Sequence, residues 1–127
     1  TLEAIIPNAN AIIDERIIET NLGLWTGAIK TEINPEELAQ FRAGNFTPPE
    51  GEKREDVEAR VLDFVKDLFD KYKNNERILV VTHAGIIKAL EFRFFGKKQS
   101  RVENLGMLEI DNKVFNDFIK KEESKWK

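Results

Sequence analysis

At 127 residues the chain has room for one domain and a modest core, which excludes two full domains. Hydrophobic residues at 41% and charged residues at 34% mark a globular chain with a well-charged surface, and no apolar run is long enough to span a bilayer. The net charge of −3 leaves no cationic field for nucleic acid, and the absence of Cys removes disulfides, thiolate nucleophiles and Cys-based metal or iron–sulfur sites. With one His there is little to hold a transition metal, and no cofactor is expected. No basic-then-apolar signal pattern follows Thr1, and a cytoplasmic setting without membrane contact is expected. The chain starts without an initiator Met, as a processed chain, a recombinant one or a fragment would.

Thr1 to Ile6 reads as the end of a helix stopped by Pro7-Asn8, because Pro blocks continuation and Asn suits a turn. A short strand is expected at Ala11 to Ile13, followed by a polar loop from Asp14 to Gly27 that two glycines punctuate. Asn34-Pro35-Glu36-Glu37 has the form of a helix start: Asn34 as N-cap, Pro35 at the first helical position, acids in the first turn. That helix is expected to end at Gly44, before a breaker-rich loop from Phe46 to Gly51. From Asp56 to about Lys73 the clearest helix follows. Val57, Val61, Phe64, Val65, Leu68 and Phe69 recur at helical spacing, leaving Lys66, Asp67, Asp70 and Lys71 outward.

Asn74-Asn75 reads as the cap of this helix, and Ile78 to Thr82 as a strand, apolar on successive residues like one buried on both faces of a parallel sheet. Helix, strand and helix in succession imply right-handed α/β winding. Ile86 to Phe95 is the next helix, Leu105 to Ile110 another strand, Asp111-Asn112 a turn, and Val114 to Trp126 a terminal amphipathic helix. Phe64, Phe69, Phe92, Phe94 and Phe95 read as core. With no repeat, linker or low-complexity block, residues 1–127 are expected to form one domain.

His83 falls where the expected strand stops and the next helix starts, a place where α/β proteins gather ligands at free backbone N–H groups. A lone His is most often a surface or partnered residue, but Gly85 lets a ligand approach the backbone, and imidazole both donates and accepts. Glu19 lies just before Gly23, Trp25 and Gly27; desolvation by such neighbours can turn a carboxyl into a proton donor, although local context alone reads it as a surface acid. Glu52 reads as a residue of a closing loop or as one capping the helix or favouring its dipole, and Arg60 as a solvated arginine or half of a buried pair. No Gly-rich phosphate loop, HExxH, GxSxG or dinucleotide fingerprint occurs.

Taken in order, three segments resemble the histidine phosphatase superfamily, also called phosphoglycerate mutase-like. Asp14-Glu15-Arg16 through Glu19 to Gly23, Trp25 and Gly27 is similar to the family's D-x-R-L-x-E-x-x-x-G-x-W-E-G segment. Pro49-Glu50-Gly51-Glu52-Lys53 through Asp56-Val57 and Arg60-Val61 is similar to P-x-G-E-S-x-x-D-V-x-x-R-V, and Val80-Val81-Thr82-His83-Ala84-Gly85 to the second histidine motif. Lys53 and Thr26 depart from the pattern, where the family has Ser and Glu.

The resemblance implies a three-layer α/β/α sandwich around a mostly parallel sheet, incomplete at the amino terminus. It assigns His83 to the histidine that donates to phosphate oxygens and Glu19 to the acid that protonates the leaving oxygen. Thr20, Asn21, Ala84 and Gly85 would line the substrate. The family's nucleophilic histidine lies in an Arg-His-Gly motif that this chain lacks, so the nucleophile and two phosphate arginines would lie upstream of Thr1. The function implied is phosphomonoester hydrolysis through a phosphohistidine, with a small phosphorylated substrate and no activity from this chain alone. A phosphatase is favoured over a mutase by the short stretch between Gly27 and Pro48. The alternatives are mutase-type phosphoryl transfer and a non-catalytic remnant; a homodimer or a complementing upstream polypeptide is the expected partner. A nucleotide-binding α/β domain is a third reading, without the Gly-rich loop it would need.

Overall fold

The Asn34 side chain begins helix α1 (Pro35–Arg42) by accepting from the N–H groups of Glu36 and Glu37 at 2.9 and 3.2 Å. Pro35 supplies the preset φ of the first turn, and the helix closes at Ala43, one residue before Gly44 takes a left-handed φ of 82°. The structure, a computed structural model, describes residues 4, 6–7, 10–73, 76–97, 103 and 106–125. The helix end expected at Thr1 to Ile6 and the cap expected at Asn74-Asn75 lie largely or wholly outside those residues.

Helix α2 (Arg54–Lys71) starts two residues earlier than its apolar pattern and buries Val57, Val61, Phe64 and Val65, with Leu68 and Phe69 half-buried. The outward set Lys66, Asp67, Asp70 and Lys71 is exposed. Helix α3 (Ala84–Phe95) takes His83 as its N-cap residue and ends at Gly96, whose φ of 68° is the left-handed conformation that glycine reaches without strain. Helix α4 (Asn112–Ser124) begins at the expected turn, because the Asp111 side chain accepts from the Val114 N–H at 2.8 Å and so makes Asp111 an N-cap.

Val57 and Val61 of α2 meet Ile86 of α3, with Ile17 and Leu90 packed alongside. Ile86 and Val61 are 0% and 1% exposed, so burial at this helix–helix seam is what holds α2 and α3 together. Helix α4 docks on α3 through Phe118, whose ring lies 4.5 Å from that of Phe94, while Phe69 of α2 stacks on Phe115 at 4.2 Å. Phe95, expected in the core, is exposed, and Phe92 lies beneath the Arg54 guanidinium at 4.4 Å. A second aromatic group, Trp25 with Phe41 and Phe46, ties α1 to the segments on either side of it.

Among the described residues there is no β-strand, so the expected mostly parallel sheet, its three-layer α/β/α sandwich and the right-handed α/β winding are overturned. The reason is pairing. Residues 76–83 lack regular structure, and a strand exists only when neighbouring main chain takes up its N–H and C=O groups. Ile78, Leu79 and Val80 are accordingly exposed rather than buried on two faces. The same correction applies to Ala11 to Ile13, where Ile13 is 91% exposed, and to 106–110 of the third expected strand. The architecture found is helical: α2 packs on α3 and on the turn at Glu15–Ile17, and α3 packs on α4. No helix among the described residues is long and apolar enough to cross a membrane.

Candidate active site

Two short segments far apart in sequence meet at the N-terminus of α3. The first, residues 14–27, is shaped by 3₁₀ turns at Glu15–Ile17 and Gly23–Trp25. Asp14 opens it by accepting from the Arg16 N–H at 2.9 Å. The Arg16 guanidinium folds back onto Asp14 and reaches Asp63 and Asp67 of α2 at 2.9 and 2.6 Å. Those hydrogen bonds raise the Arg16 pKa, and Arg16 in turn holds the Asp14 carboxyl below the usual carboxylate range.

Glu19 is where this segment touches α3. Its Oε1 accepts from the Thr20 N–H at 2.9 Å and its Oε2 from the Gly85 N–H at 3.3 Å. Gly85 sits in the first turn, where backbone N–H groups have no intrahelical partner, so the carboxylate satisfies one of them and lies at the positive end of the helix dipole. The absence of a side chain makes this approach possible: a Cβ at Gly85 would overlap the Glu19 carboxylate.

His83 is exposed two residues before Gly85, in extended conformation, and its backbone carbonyl accepts from the N–H groups of Ile86 and Ile87, both at 3.1 Å. Ala84 follows it, also exposed, as the first residue of α3. Thr20 continues from Glu19 at the same junction. The Asn21 side chain turns inward on its own loop, where Oδ1 accepts from the Gly23 N–H at 2.9 Å and shapes the next turn. The structure therefore brings Glu19 and Gly85 into direct contact, places Thr20 next to Glu19 and His83 and Ala84 next to Gly85 in sequence, and gives Asn21 hydrogen bonds that organise the loop.

Three further side chains support this junction. Thr82 donates from Oγ1 to the Ile17 carbonyl at 2.7 Å, tying the residue before His83 to the Glu19 segment. Glu52 neither caps α2, whose N-cap residue is Lys53, nor projects freely; it pairs with Arg60 through Nε at 2.7 Å and Nη2 at 3.0 Å. Arg60 is only 19% exposed at its side chain, which decides for the paired reading over the solvated one, and it holds the Glu52 carboxyl below the usual range. The eight-residue spacing from Glu52 to Arg60 is the signal that could have found this pair, since it places the arginine two turns into the helix that Glu52 precedes.

The place combines the N-terminal turn of α3, a glycine that the Glu19 carboxylate approaches closely, and an exposed imidazole. The family model described as histidine phosphatase superfamily (branch 1) matches residues 1–122, and the chain belongs to that superfamily. No curated protein and no solved structure matches it. Membership points to phosphoryl transfer of the phosphatase or mutase type, in a superfamily whose members are typically enzymes.

Proposed function

We propose that the chain contributes the proton-transfer half of a phosphomonoester hydrolase that works through a phosphohistidine. Phosphoryl transfer depends on in-line positioning and on fixed donors around the equatorial oxygens, and the groups at the start of α3 are of that kind. In this reading His83 donates to a phosphate oxygen, the backbone of Ala84 and Gly85 lies near the phosphoryl group, and Thr20 and Asn21 flank the remainder of the substrate. Glu19 protonates the leaving oxygen and then takes a proton from the attacking water. The observation that carries the reading is the contact of the Glu19 carboxylate with the Gly85 N–H, two residues from His83.

With one histidine in the chain, the nucleophile of a two-histidine mechanism comes from a polypeptide segment outside residues 1–127. The exposed apolar side chains of Ile78, Leu79 and Val80, a short way before His83, support a polypeptide partner at that face. Alone, the chain turns over no phosphomonoester. Supplied with a segment bearing Arg-His-Gly, it is expected to hydrolyse p-nitrophenyl phosphate, and His83→Ala is expected to abolish that activity. Turnover unaffected by His83→Ala would overturn the assignment. If the segment binds but no turnover follows, the non-catalytic reading replaces it.

A further inference from the structure

Glu52 and Arg60 lie outside the cluster just described, yet their hydrogen bonds converge on both ends of the segment that carries Glu19. On one side the Arg60 Nη1 donates to the Arg16 carbonyl at 2.6 Å, three residues before Glu19. On the other, the Asn21 N–H donates to Glu52 Oε2 at 3.3 Å and the Glu52 N–H donates to the Asn21 carbonyl at 2.8 Å, two residues after it. Between these grips the carboxylate and guanidinium meet in a two-point fork, which fixes relative orientation as well as distance. We propose that Glu52 and Arg60 form a positioning pair that sets residues 16–21 so that the Glu19 carboxylate reaches the Gly85 N–H.

Three further observations support that role. The side chains are 21% and 19% exposed, so the fork is shielded from competing water while Glu19 itself stays exposed. A second clasp lies next to the first: the Leu24 N–H donates to the Pro49 carbonyl at 2.9 Å, and Gly23 packs so closely there that a Cβ would overlap the Pro49 and Gly51 backbone. Thr82 completes the frame from the α3 side through its bond to the Ile17 carbonyl. Residues 16–21 are thus held from the loop before α2, from α2 itself and from the residue before His83. Neither Glu52 nor Arg60 bonds to Glu19 or Gly85, so any effect on that contact passes through the backbone of 16–21.

The inference rests on Glu19 being the proton carrier of the proposed function, but its test needs no substrate. The uniformly ¹⁵N-labelled chain is compared with Glu19→Ala, Glu52→Gln, Arg60→Lys and the Glu19→Ala/Glu52→Gln double variant. Far-UV circular dichroism checks the fold, and amide spectra and hydrogen exchange report on Thr20 and Gly85. Glu19→Ala is expected to move both amide signals. Glu52→Gln and Arg60→Lys are expected to move the same two signals and to speed Gly85 exchange about tenfold, the scale of losing one local hydrogen bond. In the Glu19→Ala background, Glu52→Gln is expected to leave Gly85 nearly unchanged, because the contact it acts through is already gone. A merely structural pair would lower the unfolding midpoint without reaching Gly85.

Parent-like Thr20 and Gly85 signals in Glu52→Gln and Arg60→Lys would overturn the proposal, as would an equal Gly85 response in both backgrounds. Loss of the fold in both variants would overturn it too, since the pair would then support the whole chain rather than Glu19. A chain that fails the hydrolysis test still answers this one, so the two readings fail separately.

Discussion

Replacing Gly85 by Ala sets two effects of similar size against each other, and their balance reports where the Glu19 carboxylate sits. Gly85 has no positive φ, so alanine fits the backbone there and should stabilise the chain by about 0.4–1 kcal/mol through the unfolded state. Against this, the new Cβ overlaps the Glu19 carboxylate, the far end of a flexible side chain that can swing away. Swinging away forfeits its hydrogen bond from Gly85, about 0.5–1.5 kcal/mol. The net change in stability is therefore within about 1 kcal/mol of zero.

In a Glu19→Ala background no carboxylate stands in the way, and the same substitution should show its full gain of about 0.4–1 kcal/mol. The coupling between the two positions is then on the order of 1 kcal/mol, readable from urea denaturation of the four proteins at equal slope. An identical effect of Gly85→Ala in both backgrounds would refute the placement of Glu19 against α3. So would a loss of about 3 kcal/mol, the scale of an overpacked core, because it would mean that backbone and not a mobile carboxylate fills the space.

Ile86→Ala, at a position 0% exposed between α2 and α3, should cost about 2–5 kcal/mol in urea denaturation, whereas Ile13→Ala, 91% exposed, should stay within about 0.5 kcal/mol. Asn34→Ala removes the acceptor for two N–H groups of α1 and should cost about 1 kcal/mol, read from the same denaturation curves. The Glu52 carboxyl titrates lower in the folded chain than unfolded because of Arg60, so its stabilisation is present above the ordinary carboxylate range and is lost as pH falls through the folded value. The urea midpoint should drop on acidification below about pH 5, and less steeply in Arg60→Met; equal slopes in parent and variant would contradict the pairing.

What was legible in the sequence was local. Asn34-Pro35 announced α1 through cap chemistry confined to a few residues, and the spacing from Val57 to Val65 announced the buried face of α2. The three expected strands failed for the opposite reason. An apolar run such as Ile78 to Val81 states what a segment would bury, but a strand requires a paired neighbour, and none exists among the described residues. Asp111-Asn112 serves a turn or an N-cap equally well, and only the Val114 N–H decides between them. At the site, His83 stands out by its place before a helix, while Glu19 is singled out by resemblance to the family. Their junction through Gly85 spans 66 positions and leaves no periodic trace. Arg60 looks like any helix-surface arginine because its partners, Glu52 and the Arg16 carbonyl, come from separate loops.

The most direct test of Glu19 as the proton carrier is the dependence of its variant on the leaving group. In the chain complemented with an Arg-His-Gly segment, an alkyl phosphate needs its leaving oxygen protonated, whereas p-nitrophenolate departs unaided. Glu19→Gln is predicted to slow hydrolysis of the alkyl ester by about 10²–10⁴-fold while slowing p-nitrophenyl phosphate far less. Equal losses on the two substrates, or no loss on the alkyl ester, would contradict the account.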